Sequence, residues 1–67
     1  MQVQVNGEGM ALAAGATCAD VLERLGVDQR QRLAVEVNEA IVPRSQLNEH
    51  RLADGDRVEV IQAIGGG

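Results

Sequence analysis

Hydrophobic and polar positions alternate from the first residue: Met1, Val3 and Val5 fall on one side of an extended segment, Gln2 and Gln4 on the other. Successive strand side chains point to opposite faces, so this pattern predicts a strand buried on one face only. Asn6-Gly7 follows, two residues that tolerate positive φ and favour the tight turn of a hairpin. The returning arm runs from Gly9 to Ala14, sets Met10 and Leu12 on one face, and ends at Gly15.

The period then lengthens. Thr17 with Asp20 three residues on is a capping-box-like pair, in which side-chain oxygens meet amide hydrogens that have no partner inside a helix. A helix is therefore predicted to begin at Cys18. Cys18, Val21, Leu22 and Leu25 form one buried stripe, Asp20, Glu23 and Arg24 face outward, and Gly26 is the stop. Gln29 to Arg32 is a polar connector. Leu33, Val35 and Val37 alternate with Ala34, Glu36 and Asn38 as a third strand, and a turn near Asn38-Glu39 leads into Ala40-Ile41-Val42. Pro43 cannot donate to a sheet ladder and marks that short segment as an edge strand.

From Arg44 to Arg51 only Leu47 breaks a polar run, which reads as a loop holding one short helical turn. After the Asp54-Gly55-Asp56 turn, Arg57 to Ile64 is the strongest strand pattern, with Val58 and Val60 on one side and Glu59 and Ile61 on the other. Gly65-Gly66-Gly67 has no side chain with which to join a core, so an extended, mobile tail is expected after a domain spanning 1–64. Four or five strands with one helix across a single face make an α+β roll, since helix stripe and strand alternation each need the other to exclude water.

Composition narrows the function. The chain has 67 residues, enough for one domain, and its 45% hydrophobic and 24% charged residues are the balance of an ordinary soluble globular protein. No apolar run approaches the roughly 18 residues that span a bilayer, and no basic region followed by an apolar stretch opens the chain, so a cytoplasmic location is expected. A net charge of −4 and the absence of aromatic residues remove the phosphate-neutralising surface and the stacking platforms that nucleic-acid binding uses. One cysteine and one histidine make neither a disulfide nor a metal-binding cluster.

Two places remain for covalent chemistry. Cys18 at a helix N-terminus would feel the end of the dipole that lowers a thiol pKa, but its place on the stripe with Val21, Leu22 and Leu25 reads as packing. His50 has no nucleophile or carboxylate that spacing assigns to it and reads as a solvated loop histidine. The other place is the end of the chain. A carboxylate on consecutive glycines is the least hindered acyl group a protein offers, and it can thread a narrow tunnel into another protein. It is a poor electrophile until attack on the α-phosphate of ATP converts it to an acyl adenylate that a sulfur nucleophile can displace. With no phosphate-binding glycine-rich loop here, the nucleotide site must belong to a partner, and no cofactor is expected on this chain. All six basic residues are arginines. An absence of lysine would protect an activated tail from capture by its own surface, although a GC-rich genome gives the same composition.

Taken together, Asn6-Gly7-Glu8, the segment Thr17 to Gly26, Val37-Asn38 followed by Ile41-Val42-Pro43-Arg44, then Asp54 to Ile61 and Gly65-Gly66-Gly67 resemble the ThiS family, the sulfur carriers of thiamine thiazole biosynthesis. The resemblance covers nearly the whole chain. It implies a β-grasp (ubiquitin-like) fold with a mixed sheet, and a protein co-substrate rather than an enzyme. It further implies that Gly67 is adenylated by a ubiquitin-activating-like adenylyltransferase (ThiF type) using ATP and converted to a thiocarboxylate with sulfur from a cysteine desulfurase or another donor. The loaded carrier then gives its sulfur to thiazole synthase (ThiG type). Gly66 and Gly67 match the family's terminal pair, and Gly65 extends it. Docking is expected on the surface from which the tail leaves, through Ile61 or Ile64, the alternative for Ile61 being cover by a neighbouring loop. Other functions within reach of the same fold are sulfur carriage for molybdopterin or tRNA thiolation, and a non-covalent β-grasp binding module with an inert tail.

Overall fold

The computed structural model describes residues 1–62. The hairpin forms as the alternation predicts: β1 (Gln2–Val5) pairs antiparallel with β2 (Glu8–Ala11), Val3 opposite Met10. Asn6 and Gly7 both take positive φ, 51° and 84°. That is the backbone twist a two-residue hairpin turn needs.

Helix α1 spans Cys18–Leu25 and starts at the predicted cap, with the Thr17 hydroxyl accepting from the Asp20 amide and the Asp20 carboxylate accepting from the Thr17 amide. The next orphan amides are met by main chain: Cys18 N–H donates to the His50 carbonyl and Ala19 N–H to that of Leu47. At the other end Gly26 sits at φ 72°, its N–H bonded to Glu23 and that of Val27 to Leu22. This is the glycine-terminated closure in which the residue after the glycine folds back onto the helix. It corrects one expectation. Leu25 is 39% exposed, and Val27, returned by the turn, packs against the core in its place.

Strands β3 (Leu33–Val37) and β4 (Ala40–Val42) form a second hairpin around Asn38 and Glu39, both at positive φ. A short 3₁₀ turn at Arg44–Gln46 follows and leads to Leu47, which is fully buried. The last strand, β5 (Arg57–Gln62), pairs parallel with β1 and antiparallel with β3, giving a mixed sheet in the order β2-β1-β5-β3-β4. The predicted edge strand lies at an edge. The predicted continuation of β5 through Ala63 and Ile64 lies outside the described residues.

Val3, Val5, Val35, Val37, Val42 and Val58 face Val21, Leu22 and Cys18 of the helix in one core, closed by Leu12, Leu47 and Leu52. Burying a side chain such as Leu22 stabilises the fold by roughly 1.5–3 kcal/mol. The architecture is the five-stranded mixed sheet with one helix on one face of a ubiquitin-like β-grasp roll.

Candidate functional site

The candidate site is the end of β5 and the uncovered face of the sheet beside it. β5 is central, held by β1 on one side and β3 on the other, so the last described residues lie on a strand paired at both edges. The strand is locked at its start by Asp56, whose carboxylate accepts from the Ala53 amide at 2.8 Å and from Asn38 Nδ2 at 3.0 Å. These bonds, the first being the stronger, hold the Asp56 pKa below the ordinary carboxylate value. Asn38 returns the contact by accepting from Arg57 N–H at 3.0 Å. Where pairing with β1 ends, Asn6 Oδ1 takes over and accepts from Val60 N–H at 2.9 Å. Beyond Val60 the ties are to β3 and the connector before it: Gln62 lies opposite Leu33, its side-chain amide donates to Gln31 Oε1 at 3.5 Å, and Arg44 holds that connector by donating to the carbonyls of Gln29 and Gln31.

Alternation along β5 puts Glu59 and Ile61 outward, and Ile61 is 52% exposed. Register extends the face. Ala34 lies opposite Ile61, Glu36 opposite Glu59, and Ile41 opposite Glu36 on the far side of β3. Ile41 is 70% exposed, the most open large hydrophobic among the described residues. Ile61 stands out in the sequence by its place in the last strand, whereas Ile41 does not. Counting across the two-residue turn at Asn38-Glu39 would have paired it with Glu36 and placed it on the same face.

Of the predicted site residues, Ile61 is thus an exposed outward side chain, not one covered by a loop. Gly65, Gly66, Gly67 and Ile64 lie outside the described residues. From Gln62 to Gly67 there are five residues, which fully stretched reach about 17 Å. Cys18 is completely buried, and desolvation, with the nearby Asp56 charge adding to it, pushes its thiol up to about 11. That outweighs the helix dipole and leaves it a packing residue. His50 is half-buried, and its main-chain carbonyl serves the helix N-terminus.

Among the described residues no group of three or more His, Cys, Asp or Glu could hold a metal, and no helix is long and apolar enough to cross a membrane. An open hollow of about 360 Å³ beside the helix, lined by Leu12 to Ala16 with Asp20, Glu23 and Arg24, is partly closed by Arg24 donating to the Ala11 carbonyl.

Comparison with known proteins bears on this arrangement. A family model described as "ThiS family" matches residues 3–67. The chain is 44% identical to the sulfur carrier protein ThiS of Escherichia coli (strain K12), covering all of both chains. It is 42% identical over its full length to part of a thiazole synthase of Paramagnetospirillum magneticum, of which it spans 20%. Its fold is similar to the crystal structure of the thiamine biosynthesis protein ThiS from Geobacter metallireducens, with TM-score 0.80, 30% identity and full coverage of both chains.

Proposed function

The chain belongs to the ThiS family, and we propose that Gly67 is the group that carries its sulfur. As a member of that family it is a sulfur carrier of thiamine biosynthesis, a protein co-substrate rather than an enzyme. The observation that supports the assignment to Gly67 is a family match that runs through the glycine tail to residue 67, on a chain that has just left a central, doubly paired strand. Residues 1–64 are then the handle and 65–67 the delivered end.

The chemistry requires two transfers. The Gly67 carboxylate attacks the α-phosphate of ATP on an adenylyltransferase (ThiF type), forming the acyl adenylate and releasing pyrophosphate. Sulfide from a donor then displaces AMP and leaves the thiocarboxylate directly; where the donor is a desulfurase-derived persulfide, its attack leaves an acyl disulfide, from which a second thiol takes the donor sulfur as a disulfide and releases the thiocarboxylate. Thiazole synthase (ThiG type) receives the sulfur. The handle's part is to keep the last five residues on a rigid origin, so that a carboxylate without a Cβ on its own or the two preceding residues enters each partner's site. Ile61, and Ile64 beyond it, would bear on the partner's surface where the tail enters. This work belongs in the cytoplasm, where ATP is supplied. Similarity to carriers of thiamine biosynthesis and to a thiazole synthase does not favour molybdopterin, tRNA thiolation or an inert module.

Appending one alanine after Gly67 tests the assignment without touching the fold. The extended chain should melt as the parent does and support no pyrophosphate exchange by the adenylyltransferase. Full exchange by the extended chain would remove Gly67 from the chemistry. For docking, Ile64→Asp should lower both adenylation and sulfur delivery, and unchanged rates would discard that residue.

A further inference from the structure

We propose that Glu36 and Glu59 together hold one cationic side chain of thiazole synthase, seated between the exposed isoleucines Ile41 and Ile61. The proposal rests on the carrier reading above and names the partner of its open sheet face. Glu36 and Glu59 are directly opposite each other in the antiparallel β3–β5 pair. Like charges in that relation destabilise a sheet, and a face that met only water would be better served by an opposite or neutral pair. Neither carboxylate is in an ion pair: among the described residues the only one is Arg30–Asp28, in the connector before β3. Arg57 shares the face but forms no ion pair with either carboxylate.

The surroundings make this more than an acidic spot. Ile41, Glu36 and Glu59 form one row across β4, β3 and β5, and Ile61 stands in the next row opposite the small Ala34. Two large apolar side chains thus flank a shallow floor with the carboxylates between them, on the strand that leads to the tail. A partner that receives Gly67, about 17 Å at most from Gln62, must lie against this end of β5. An arginine guanidinium or lysine ammonium entering between the isoleucines would be shared by both carboxylates while the alkyl stem covers apolar surface. Thiazole synthase is chosen as the occupant because a known synthase carries a segment similar to this whole chain, which puts a carrier-like segment and a synthase in one polypeptide at high local concentration.

The test is the affinity of the unmodified carrier for purified thiazole synthase of the same organism, measured at low and high salt. Neutralising both carboxylates (Glu36→Gln with Glu59→Gln) should weaken binding at low salt by on the order of tenfold or more and flatten its salt dependence. The melting temperature should hold or rise as the repulsion is removed. Glu23→Gln, the same kind of charge change on the helix side, should leave affinity within about twofold, since a distant exposed charge is screened. The proposal is overturned if the parent does not bind the synthase, if the double variant binds as the parent does, if its melting temperature falls, or if Glu23→Gln weakens binding equally. Loss of affinity for the adenylyltransferase alone would also overturn it. Since no thiocarboxylate is involved, this outcome is independent of whether Gly67 accepts sulfur.

Discussion

The two faces of the sheet obey the same period of two and lead to opposite outcomes. On one face Val3, Val5, Val35, Val37 and Val58 are all nearly inaccessible under the helix. On the other, Gln2, Gln4, Ala34, Glu36, Ile41, Glu59 and Ile61 are left uncovered or half-covered. The covered face is uniform in chemistry because it has a single task, the exclusion of water. The open face mixes amides, carboxylates and isolated isoleucines, and nothing in the stability of the domain calls for that mixture. Stability therefore resides on one side of the sheet and the proposed recognition on the other, with β5 common to both.

The sharpest way to break this division is to damage the covered face and look for selective loss of function. Leu22→Ala removes a fully buried side chain and should destabilise the domain by about 2–5 kcal/mol in urea unfolding. In a domain this small that is a large share of the total. The fraction that stays folded should dock and be adenylated as the parent is; a specific defect in the folded fraction would show that the division is not clean.

A smaller effect sits at the hinge between the faces. Asp56 has a folded pKa below its unfolded value of about 3.9 because its carboxylate accepts from Ala53 and Asn38. Its contribution is therefore fully present above that unfolded value and is lost as pH falls through the folded one. Asp28 is held down to about 2 by Arg30, but the pair is exposed to solvent and its effect on stability is screened. Unfolding free energy should decline as pH drops below about 4, and Asp56→Asn should flatten much of that decline. An equally steep decline in the variant would mean that other carboxylates govern acid unfolding.

Smallest of all should be the stability change from Ile41→Thr on the open face, within about 0.5 kcal/mol, because the side chain is already 70% exposed and threonine suits a strand. Partner affinity should nevertheless fall. A large stability loss with intact affinity would reverse the assignment of the two faces.

Much of this was legible beforehand. The alternation of Met1 to Val5, the Thr17–Asp20 pair and the valines of the third and last strands each specify a local structure and a buried side, and they agree with one another. That agreement is why one sequence could locate the core. Leu25 was misplaced because the helical period was carried to the last residue, whereas the glycine turn at Gly26 hands the final core position to Val27. Ile41 was missed because an isolated isoleucine in a three-residue strand has no period of its own, and only the register across Asn38-Glu39 gives it a side. The parallel pairing of β1 with β5 is a contact between chain ends that no local pattern contains. The glycine end, which lies outside the described residues, was read from chemistry alone, since acyl transfer favours an unhindered terminus whatever fold precedes it.

The central claim is that the last glycine exchanges an oxygen for sulfur. Incubating the full chain with its adenylyltransferase, ATP and a sulfur donor, then weighing the intact protein and its terminal peptide, tests it most directly. The expected result is a mass gain of one oxygen-to-sulfur exchange, confined to the peptide that ends in Gly67 and dependent on ATP. An unchanged mass, or sulfur found on Cys18 instead, would contradict it.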